Sequence, residues 1–293
     1  MYAIELEHLT KVYVGKGRSR VEALKDVSFV VEAGEIFGFL GPNGAGKSTT
    51  IKIIMGLIRP TSGDAHIAGY ASSDPESRRY VGFLPENPAF YDYLTAEEYL
   101  RFTGNVFRMS AAEITSKSDE VLNKLELWEA RRRPVRSFSK GMVQRLGLAQ
   151  VLLHDPDVYV LDEPMSGLDP LGRALVKDII RDLKSRGKSV FFSTHITSDV
   201  ETVCDRVGII FKGELQAVEH VESILTAGII GYHIRLKDRT GAGAVSGDVY
   251  VAKEDLAAFV AEQQANGTEI SCVEPRRKNL EDFFLEIVKG RGR

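Results

Sequence analysis

The sequence predicts an α/β protein whose larger part is built on a parallel sheet. Between residues 157 and 218, short runs of Val, Leu, Ile and Phe alternate with amphipathic helical patterns such as 171–186, as a doubly wound sheet requires. A glycine-rich loop joins an apolar strand to a helix near residue 41. After residue 220 the chain changes character and predicts a small second α/β domain. We therefore expect one domain over residues 1–220 and another over 221–293.

The composition limits the possible functions. A chain of 293 residues with 43% hydrophobic content can bury a sizeable core, and a net charge of −3 with a pI of about 6.1 provides no overall basic field for nucleic acid. The basic cluster at 131–136 fits a solvated loop. Cys204 and Cys272 lack metal-like spacing and fit reduced thiols. No apolar run reaches the roughly 18 residues of a membrane span, and the first residues lack a signal-peptide core.

The most specific motif lies between an apolar strand at 36–40 and a helical pattern at 50–57. Its residues are Gly41-Pro42-Asn43-Gly44-Ala45-Gly46-Lys47-Ser48-Thr49. Glycines at this spacing let successive main-chain N–H groups surround a polyphosphate, and the helix N-terminus adds partial positive charge. Lys47 is expected to reach the β- and γ-phosphates, and Ser48 to bind Mg²⁺. A chance glycine turn is disfavoured because strand and helix are both present, so the motif predicts nucleotide binding.

A second motif follows the apolar run Val158-Tyr159-Val160-Leu161, which predicts a buried parallel strand. Asp162 and Glu163 stand at its carboxyl end. Asp162 is expected to hold Mg²⁺ through water, and Glu163 to polarise the water that attacks the γ-phosphate. Solvated acids are common at strand ends, so this motif is weak alone. Together with the phosphate loop it predicts nucleotide hydrolysis.

A third motif resembles the signature of ABC-type ATPases. It reads Ser137-Phe138-Ser139-Lys140-Gly141-Met142-Val143-Gln144-Arg145-Leu146. Ser139 suits the N-cap of the following helix, and Gly141 exposes N–H groups in its first turn, although the segment alone would also fit an ordinary capped helix. The resemblance implies that the signature of one subunit closes over the γ-phosphate held by another. Two ATP molecules are then enclosed in a head-to-tail dimer.

Further segments resemble motifs of the same family, in the family's order. Ser166-Gly167-Leu168-Asp169-Pro170 resembles the D-loop, which places Asp169 among the nucleotide-binding residues. Phe191-Phe192-Ser193-Thr194-His195 resembles the H-loop, which implies that His195 contacts the γ-phosphate and helps to place the attacking water. Tyr13 matches the aromatic residue that stacks on adenine, although alone it fits a half-buried strand tyrosine. The resemblance covers roughly residues 2–220.

One residue departs from the family pattern. Glu86, at the end of Val81-Gly82-Phe83-Leu84-Pro85-Glu86, takes the place of the Q-loop glutamine that contacts Mg²⁺ and relays nucleotide state. A carboxylate oxygen can also bind a hard cation, so Glu86 is expected to join Ser48 and Asp162 as a metal ligand. Its charge beside the phosphates is expected to weaken nucleotide binding. Similar glutamate forms occur among exporter-type ATPases, which favours export.

The resemblance also organises the rest of the chain. Residues 1–35 predict short strands of an antiparallel flank around a Gly/Arg-rich loop at 15–20, and helical patterns at 96–109 and 112–127 predict a helical subdomain over about 92–155. The second domain is predicted to contain strands 232–236, 248–252 and 269–273, helices 254–264 and 280–288, a glycine turn at 241–244 and a frayed tail at 290–293. Dimerisation, partner docking and ligand sensing all remain open for it.

We interpret the chain as the ATP-binding and ATP-hydrolysing subunit of an ABC transporter, using ATP and Mg²⁺. The resemblance implies a homodimer or heterodimer of ATPase subunits, separate transmembrane permease subunits and a peripheral location on the cytoplasmic face of the cell membrane. Lipid, drug, peptide and polysaccharide remain open as substrates. The residues at 90–93 would line the coupling groove or form local core.

Two other classes of function share parts of this motif set. A soluble ABC-type ATPase acting on nucleic acid or ribosomes is the alternative, but the segment between Lys47 and Ser139 leaves no space for a long coiled coil. One cassette is present, and basic nucleic-acid tracts are lacking. A regulator that binds nucleotide without hydrolysis is disfavoured because Glu163 and His195 are both present.

Overall fold

The computed structural model describes residues 2–15, 19–226, 228–237 and 247–290. The chain divides into two compact units, Met1–Glu219 and His220–Arg293. The strands of the first unit are β1 (Tyr2–Val14), β2 (Arg20–Glu32), β3 (Ile36–Leu40), β4 (Ser62–Ile67), β5 (Tyr70–Ala71), β6 (Val81–Leu84), β7 (Val158–Asp162), β8 (Ser189–Thr194), β9 (Arg206–Phe211) and β10 (Glu214–His220). Its helices are α1 (Lys47–Ile54), α2 (Ala96–Val106), α3 (Ala111–Lys124), α4 (Lys140–Leu153), α5 (Pro170–Ser185) and α6 (Thr197–Val203).

The core of the first unit is a six-stranded sheet in the order β10-β9-β3-β8-β7-β6. The pairs from β9 across to β6 are parallel, and every residue of β3, β7 and β8 is buried. Leu40 lies beside Thr194, and Asp162 beside Ser193. The segments that follow β3, β7 and β8 therefore start from the same edge of the sheet, which is where a parallel sheet places its ligand sites.

A second, antiparallel sheet has the order β2-β1-β4-β5. The prediction of short strands was wrong here, because β1 and β2 are 13 residues each. Register shifts interrupt their pairing, and His8 and Asp26 adopt positive φ angles, so long strands can bend without ending. Phe29 of β2 stacks on Phe37 of the parallel sheet at 5.2 Å. This aromatic contact joins the two sheets.

Helices α2, α3, α4 and α5 contribute to one hydrophobic cluster of this unit. Capping boxes start α2 at Thr95 and α3 at Ser110. Both helices end earlier than predicted, at Val106 and Lys124, because Arg108 and Glu126 adopt left-handed φ angles of 57° and 55°. The hydrophobic pattern of the sequence continues through these turns, so it predicts longer helices.

The second unit contains an antiparallel sheet in the order β12-β11-β13. Its elements are α7 (Val221–Thr226), β11 (Ile229–Lys237), β12 (Gly247–Ala252), α8 (Leu256–Ala265), β13 (Glu269–Arg277) and α9 (Leu280–Gly290). Helix α7 was not predicted. The sequence predicts the end of this strand at residue 273, but β13 runs on to Arg277 and past Pro275, because it is an edge strand and tolerates the missing N–H group.

Some predictions fall on residues that the structure does not describe. The predicted turn at 241–244 lies outside the described residues, as do residues 16–18 of the predicted loop at 15–20 and residues 291–293 of the predicted tail. Among the described residues, no helix combines the length and the apolar character needed to cross a membrane.

Candidate functional site

The predicted phosphate loop connects β3 to α1. Gly44 and Gly46 adopt left-handed φ angles of 78° and 116°, which favour glycine. A Cβ atom on Gly46 would lie 2.8 Å from the main-chain oxygen of Ala23. A Cβ atom on Gly41 would lie 2.4 Å from the main-chain oxygen of Ile210. Neighbouring strands therefore approach this loop so closely that larger residues do not fit.

The loop borders a cavity of about 300 Å³. The lining residues are Ala23, Pro42, Asn43, Gly44, Gly46, Lys47, Ser48, Thr49, Glu86 and Glu163. Most of the predicted phosphate-loop residues line it, whereas Gly41 and Ala45 belong to the loop but not to the lining. Ala23 of β2 was not predicted. The cavity also lies at the N-terminus of α1, where main-chain N–H groups and the helix dipole favour an anion.

Lys47 is buried at the base of the cavity. Its ammonium group donates hydrogen bonds to the main-chain oxygens of Gly41 (2.7 Å) and Pro42 (3.3 Å). Its Nζ also lies 3.4 Å from Oε1 of Glu163. The loop thus holds one fixed positive charge at the position where phosphate oxygens would enter.

The two predicted carboxylates stand at the end of β7, and both are buried. Asp162 accepts a hydrogen bond of 2.6 Å from the hydroxyl of Ser193. Burial raises the pKa of Asp162 above its ordinary value, and the hydroxyl groups of Ser193 and Ser48 oppose that rise. Glu163 has a left-handed φ of 49°, and its N–H group donates to the Ser193 hydroxyl oxygen at 3.0 Å.

His195 follows β8 and completes the group. Its Nδ1 lies 3.1 Å from both carboxylate oxygens of Glu163, although the two residues are 32 positions apart in the chain. The parallel pairing of β7 with β8 brings them together. The Glu163 carboxylate therefore lies between a buried ammonium group and an imidazole that is half exposed.

The predicted metal ligands supply only oxygen atoms. Ser48 and the exposed Glu86 lie on the cavity wall, and Asp162 directly precedes the lining residue Glu163. Hydroxyl and carboxylate oxygens beside a phosphate site suit Mg²⁺, which usually takes one or two protein ligands and completes its shell with phosphate and water. The donor set fits the predicted ion.

Besides Gly41 and Ala45, two predicted site residues adjoin the lining residue Glu163 without lining the cavity themselves: Asp162 precedes it in the chain, and His195 lies 3.1 Å from it. Four others do not line this cavity either: Tyr13, Ser139, Gly141 and Asp169. Ser139 caps α4 by accepting from the N–H of Met142 at 3.3 Å. Asp169 caps α5 by accepting from the N–H of Gly172 at 2.8 Å. Tyr13 is 40% exposed, and the Lys11 ammonium lies 5.2 Å from its ring centre. Within one chain, these residues are not part of the phosphate cavity.

Comparison with known proteins identifies the family. The model of the ABC transporter family matches residues 24–166. Over 93% of its length the chain is 39% identical to 80% of an uncharacterized ABC transporter ATP-binding protein of Synechocystis. The chain belongs to the ABC transporter ATP-binding proteins. It is also 36% identical, over 73% of its length and 68% of the relative's, to the linearmycin resistance ATP-binding protein of Bacillus subtilis.

Solved structures of this family agree. An ATP-binding subunit of an ABC transporter matches 76% of this chain and 92% of its own, with a TM-score of 0.70 and 34% identity. A dimeric ATP-binding cassette in a post-hydrolysis state, bound to ADP and Pi, matches 74% of this chain and 98% of its own, with a TM-score of 0.69 and 27% identity. The predicted fold class and the resemblance are confirmed. This ABC transporter subunit binds and hydrolyses ATP.

Ser193 is a buried residue beside the two carboxylates of this ATP-binding subunit to which the sequence assigned no role. It stands inside the predicted H-loop motif, so the signal was present. A serine in an apolar run does not reveal its partners, however, because they depend on which strand lies beside it. Ala23 was missed for the same reason, since it reaches the cavity from the antiparallel sheet.

Proposed function

We propose that this ATP-binding subunit drives the export of a substrate through separate membrane subunits. Its similarity to a protein named for linearmycin resistance supports export, because removing an antibiotic from the cell confers resistance. Glu86 in place of the usual glutamine supports the same direction. We further propose that residues 1–220 form the nucleotide-binding domain, with a helical subdomain over about 92–155, and that 221–293 form an accessory domain.

The observation that carries the hydrolytic roles is the position of Glu163. Its carboxylate lies 3.4 Å from the Lys47 ammonium and 3.1 Å from the His195 ring. We assign Glu163 to polarise the attacking water and His195 to orient that water against the γ-phosphate. Lys47 and the N–H groups of the loop stabilise charge on the transferred phosphoryl group.

Ser48, Asp162 and Glu86 are the residues that would hold Mg²⁺, which would neutralise charge on the β- and γ-phosphates. Ser48 stands in the first turn of α1, and Asp162 ends β7. Asp162 is buried, so its carboxylate is shielded from bulk solvent.

We propose that two ATPase subunits, identical or different, associate head to tail. The positions of Ser139, Gly141 and Asp169 outside the phosphate cavity of their own chain support this arrangement. The N-terminus of α4, capped by Ser139, offers free N–H groups to an anion held by another chain. Tyr13 is proposed to stack on adenine, because its ring is 40% exposed.

The surface beyond Glu86 is our proposed contact with the membrane subunit, which would place the chain at the cytoplasmic face of the membrane. Tyr91 and Tyr93 are 54% and 66% exposed, and Tyr91 contacts the exposed ring of Phe102. Phe90 instead packs edge-to-face on Tyr99 at 4.7 Å and belongs to the local core. Exposed aromatic side chains are typical of docking surfaces.

A kinetic experiment tests the hydrolytic roles. Glu163→Gln should lower kcat by roughly 10²–10⁴-fold, because a positioned general base contributes that much, while ATP affinity changes by less than about threefold. Glu76→Gln is the matched control, since Glu76 pairs with Arg79 on the surface, and it should keep the parental kcat. Undiminished turnover in Glu163→Gln would remove Glu163 from the mechanism.

The same variant tests transport. Tagged Glu163→Gln, held with ATP and Mg²⁺, would be purified from gently solubilised cells of the source organism and its partners identified by mass spectrometry. A stoichiometric polytopic membrane protein is the expected result. Ribosomal or DNA-bound proteins in its place would contradict transport and leave the ATPase chemistry intact.

A further inference from the structure

The hydroxyl group of Ser193 contacts both carboxylate residues of the site. Ser193 lies in β8 and is fully buried, with a relative exposure of 0%. Its hydroxyl donates to Oδ1 of Asp162 at 2.6 Å and accepts from the N–H group of Glu163 at 3.0 Å. One oxygen atom therefore joins the side chain of one carboxylate residue to the main chain of the next.

The bond to Asp162 restricts how its carboxylate can rotate. Oδ1 accepts the hydrogen bond from the Ser193 hydroxyl at 2.6 Å. A buried carboxylate keeps the orientation in which this bond is made, because rotation would leave the hydroxyl and the carboxylate oxygen without partners. The position of Asp162 relative to the phosphate loop is thereby set from β8.

The bond to the main chain of Glu163 acts at a strained residue. Glu163 has a φ of 49°, a conformation that costs roughly 1–2 kcal/mol for a residue with a side chain. If this turn relaxed, the carboxylate would leave its place between Lys47 and His195. The hydroxyl of Ser193 accepts the N–H group of this residue and so holds the turn.

We propose that Ser193 is a positioning residue for ATP hydrolysis, whose hydroxyl holds Asp162 and Glu163 in the geometry that the reaction requires. Ser193 is not among the residues that line the cavity, so it acts through the two carboxylates and not by contact with ATP. Its loss should slow turnover and leave nucleotide binding largely intact. The inference rests on the role proposed above for Glu163.

Ser189 provides a matched comparison on the same strand. It is also buried, at 4% exposure, and its hydroxyl accepts from the N–H group of Gly34 at 2.9 Å. Removing either hydroxyl leaves one main-chain N–H group without its partner, so both substitutions should lower stability, and Ser193→Ala should do so by more because Asp162 also loses a hydrogen bond. Only Ser193 connects to the site.

The experiment compares Ser193→Ala, Ser193→Thr and Ser189→Ala in the full chain. We expect Ser193→Ala to lower kcat by roughly 10–100-fold, because small displacements of catalytic groups have effects of this size. KM for ATP, and equilibrium ATP binding with Mg²⁺ measured by titration, should change by less than about threefold. Ser193→Thr retains the hydroxyl and should recover most of kcat, and Ser189→Ala should keep the parental kcat.

A double substitution separates positioning from a general loss of structure. Ser193→Ala should lower kcat much less in the Glu163→Gln background than in the parental chain, because residues that act through one another are not additive. The two fold-changes in kcat should differ by about fivefold or more. Equal factors in both backgrounds would overturn the proposal, as would a parental kcat in Ser193→Ala or an equal loss in Ser189→Ala.

Ser193→Cys is a second variant for the case in which Ser193→Ala does not fold. It keeps a similar size with a weaker donor and should lower kcat at unchanged KM, and a parental kcat in this variant would overturn the proposal. A slow Glu163→Gln with a normal Ser193→Ala would reject the positioning role alone. A fast Glu163→Gln would reject the proposed function on which that role rests.

Discussion

Gly46 shows how a single residue controls the phosphate loop. Two separate features exclude a larger residue at this position. Gly46 has a left-handed φ of 116°, and a Cβ atom placed on it would lie 2.8 Å from the main-chain oxygen of Ala23. Gly46→Ala should lower the free energy of unfolding by about 2–4 kcal/mol, from backbone strain together with displacement of β2. ATP affinity should fall by more than about tenfold, because the loop's N–H groups move. Urea denaturation and ATP titration measure the two effects.

Gly187→Ala is the control for that prediction. Gly187 also has a positive φ, of 76°, but no atom lies within 4 Å of a Cβ atom placed there. Gly187→Ala should lower the free energy of unfolding only by the backbone strain, about 1–2 kcal/mol, and should leave ATP affinity unchanged. Equal destabilisation by both substitutions would show that the close contact with Ala23 is unimportant.

At the scale of elements, a buried ion pair joins α5 to α6. Asp199 of α6 is 1% exposed and lies 2.8 Å from Arg173 and 3.0 Å from Lys177, both on α5. Asp199→Asn keeps the size but removes the charge that compensates two cations. It should lower the free energy of unfolding by about 2–4 kcal/mol, somewhat less than for a fully buried pair, because the cations are partly exposed.

Asp178→Asn is the comparison for this ion pair. Asp178 pairs with Arg181 at 2.8 Å on the exposed surface of α5, and 71% of its side chain is accessible. Pairs of this kind contribute less than about 1 kcal/mol, so the change should be small. If the two substitutions lowered the urea midpoint equally, the link between α5 and α6 would not depend on burial.

The lengths of elements show where sequence patterns reach their limit. The starts of α2 and α3 agree with the sequence to within one residue, because the capping boxes at Thr95 and Ser110 are local signals. Their ends were missed by three residues, because Arg108 and Glu126 carry no sequence mark of a left-handed conformation. Strand β13 continues past Pro275 only because it lies at a sheet edge.

At the scale of the whole molecule, the proposed dimer predicts a change in mass. With ATP and Mg²⁺, Glu163→Gln should pass from a monomer of 32.4 kDa to a species of twice that mass, measured by light scattering after size exclusion. Adding Ser139→Arg should return the monomer, because a bulky side chain would obstruct the N-terminus of α4. Each chain should still bind ATP, since Ser139 does not line its own phosphate cavity.

Ser185→Arg in the same background is the control. Ser185 lies at the exposed C-terminal end of α5, and its replacement adds the same charge as Ser139→Arg. It should leave the dimer intact. A dimer that persists with Ser139→Arg would contradict the role proposed for the signature motif, whereas a monomer in both variants would attribute the loss to charge alone.

The sequence by itself determined the family, the phosphate loop, the paired carboxylates and the capped helix starts, because each depends on residues close together in the chain. Tertiary structure decided the rest. Parallel pairing brings Glu163 and His195 together across 32 positions, and the same pairing makes Ser193 a partner of both carboxylates. It also leaves Ser139 and Asp169 outside the cavity of their own chain. Strand order and register depend on burying apolar faces across the whole domain, and no local pattern contains that information.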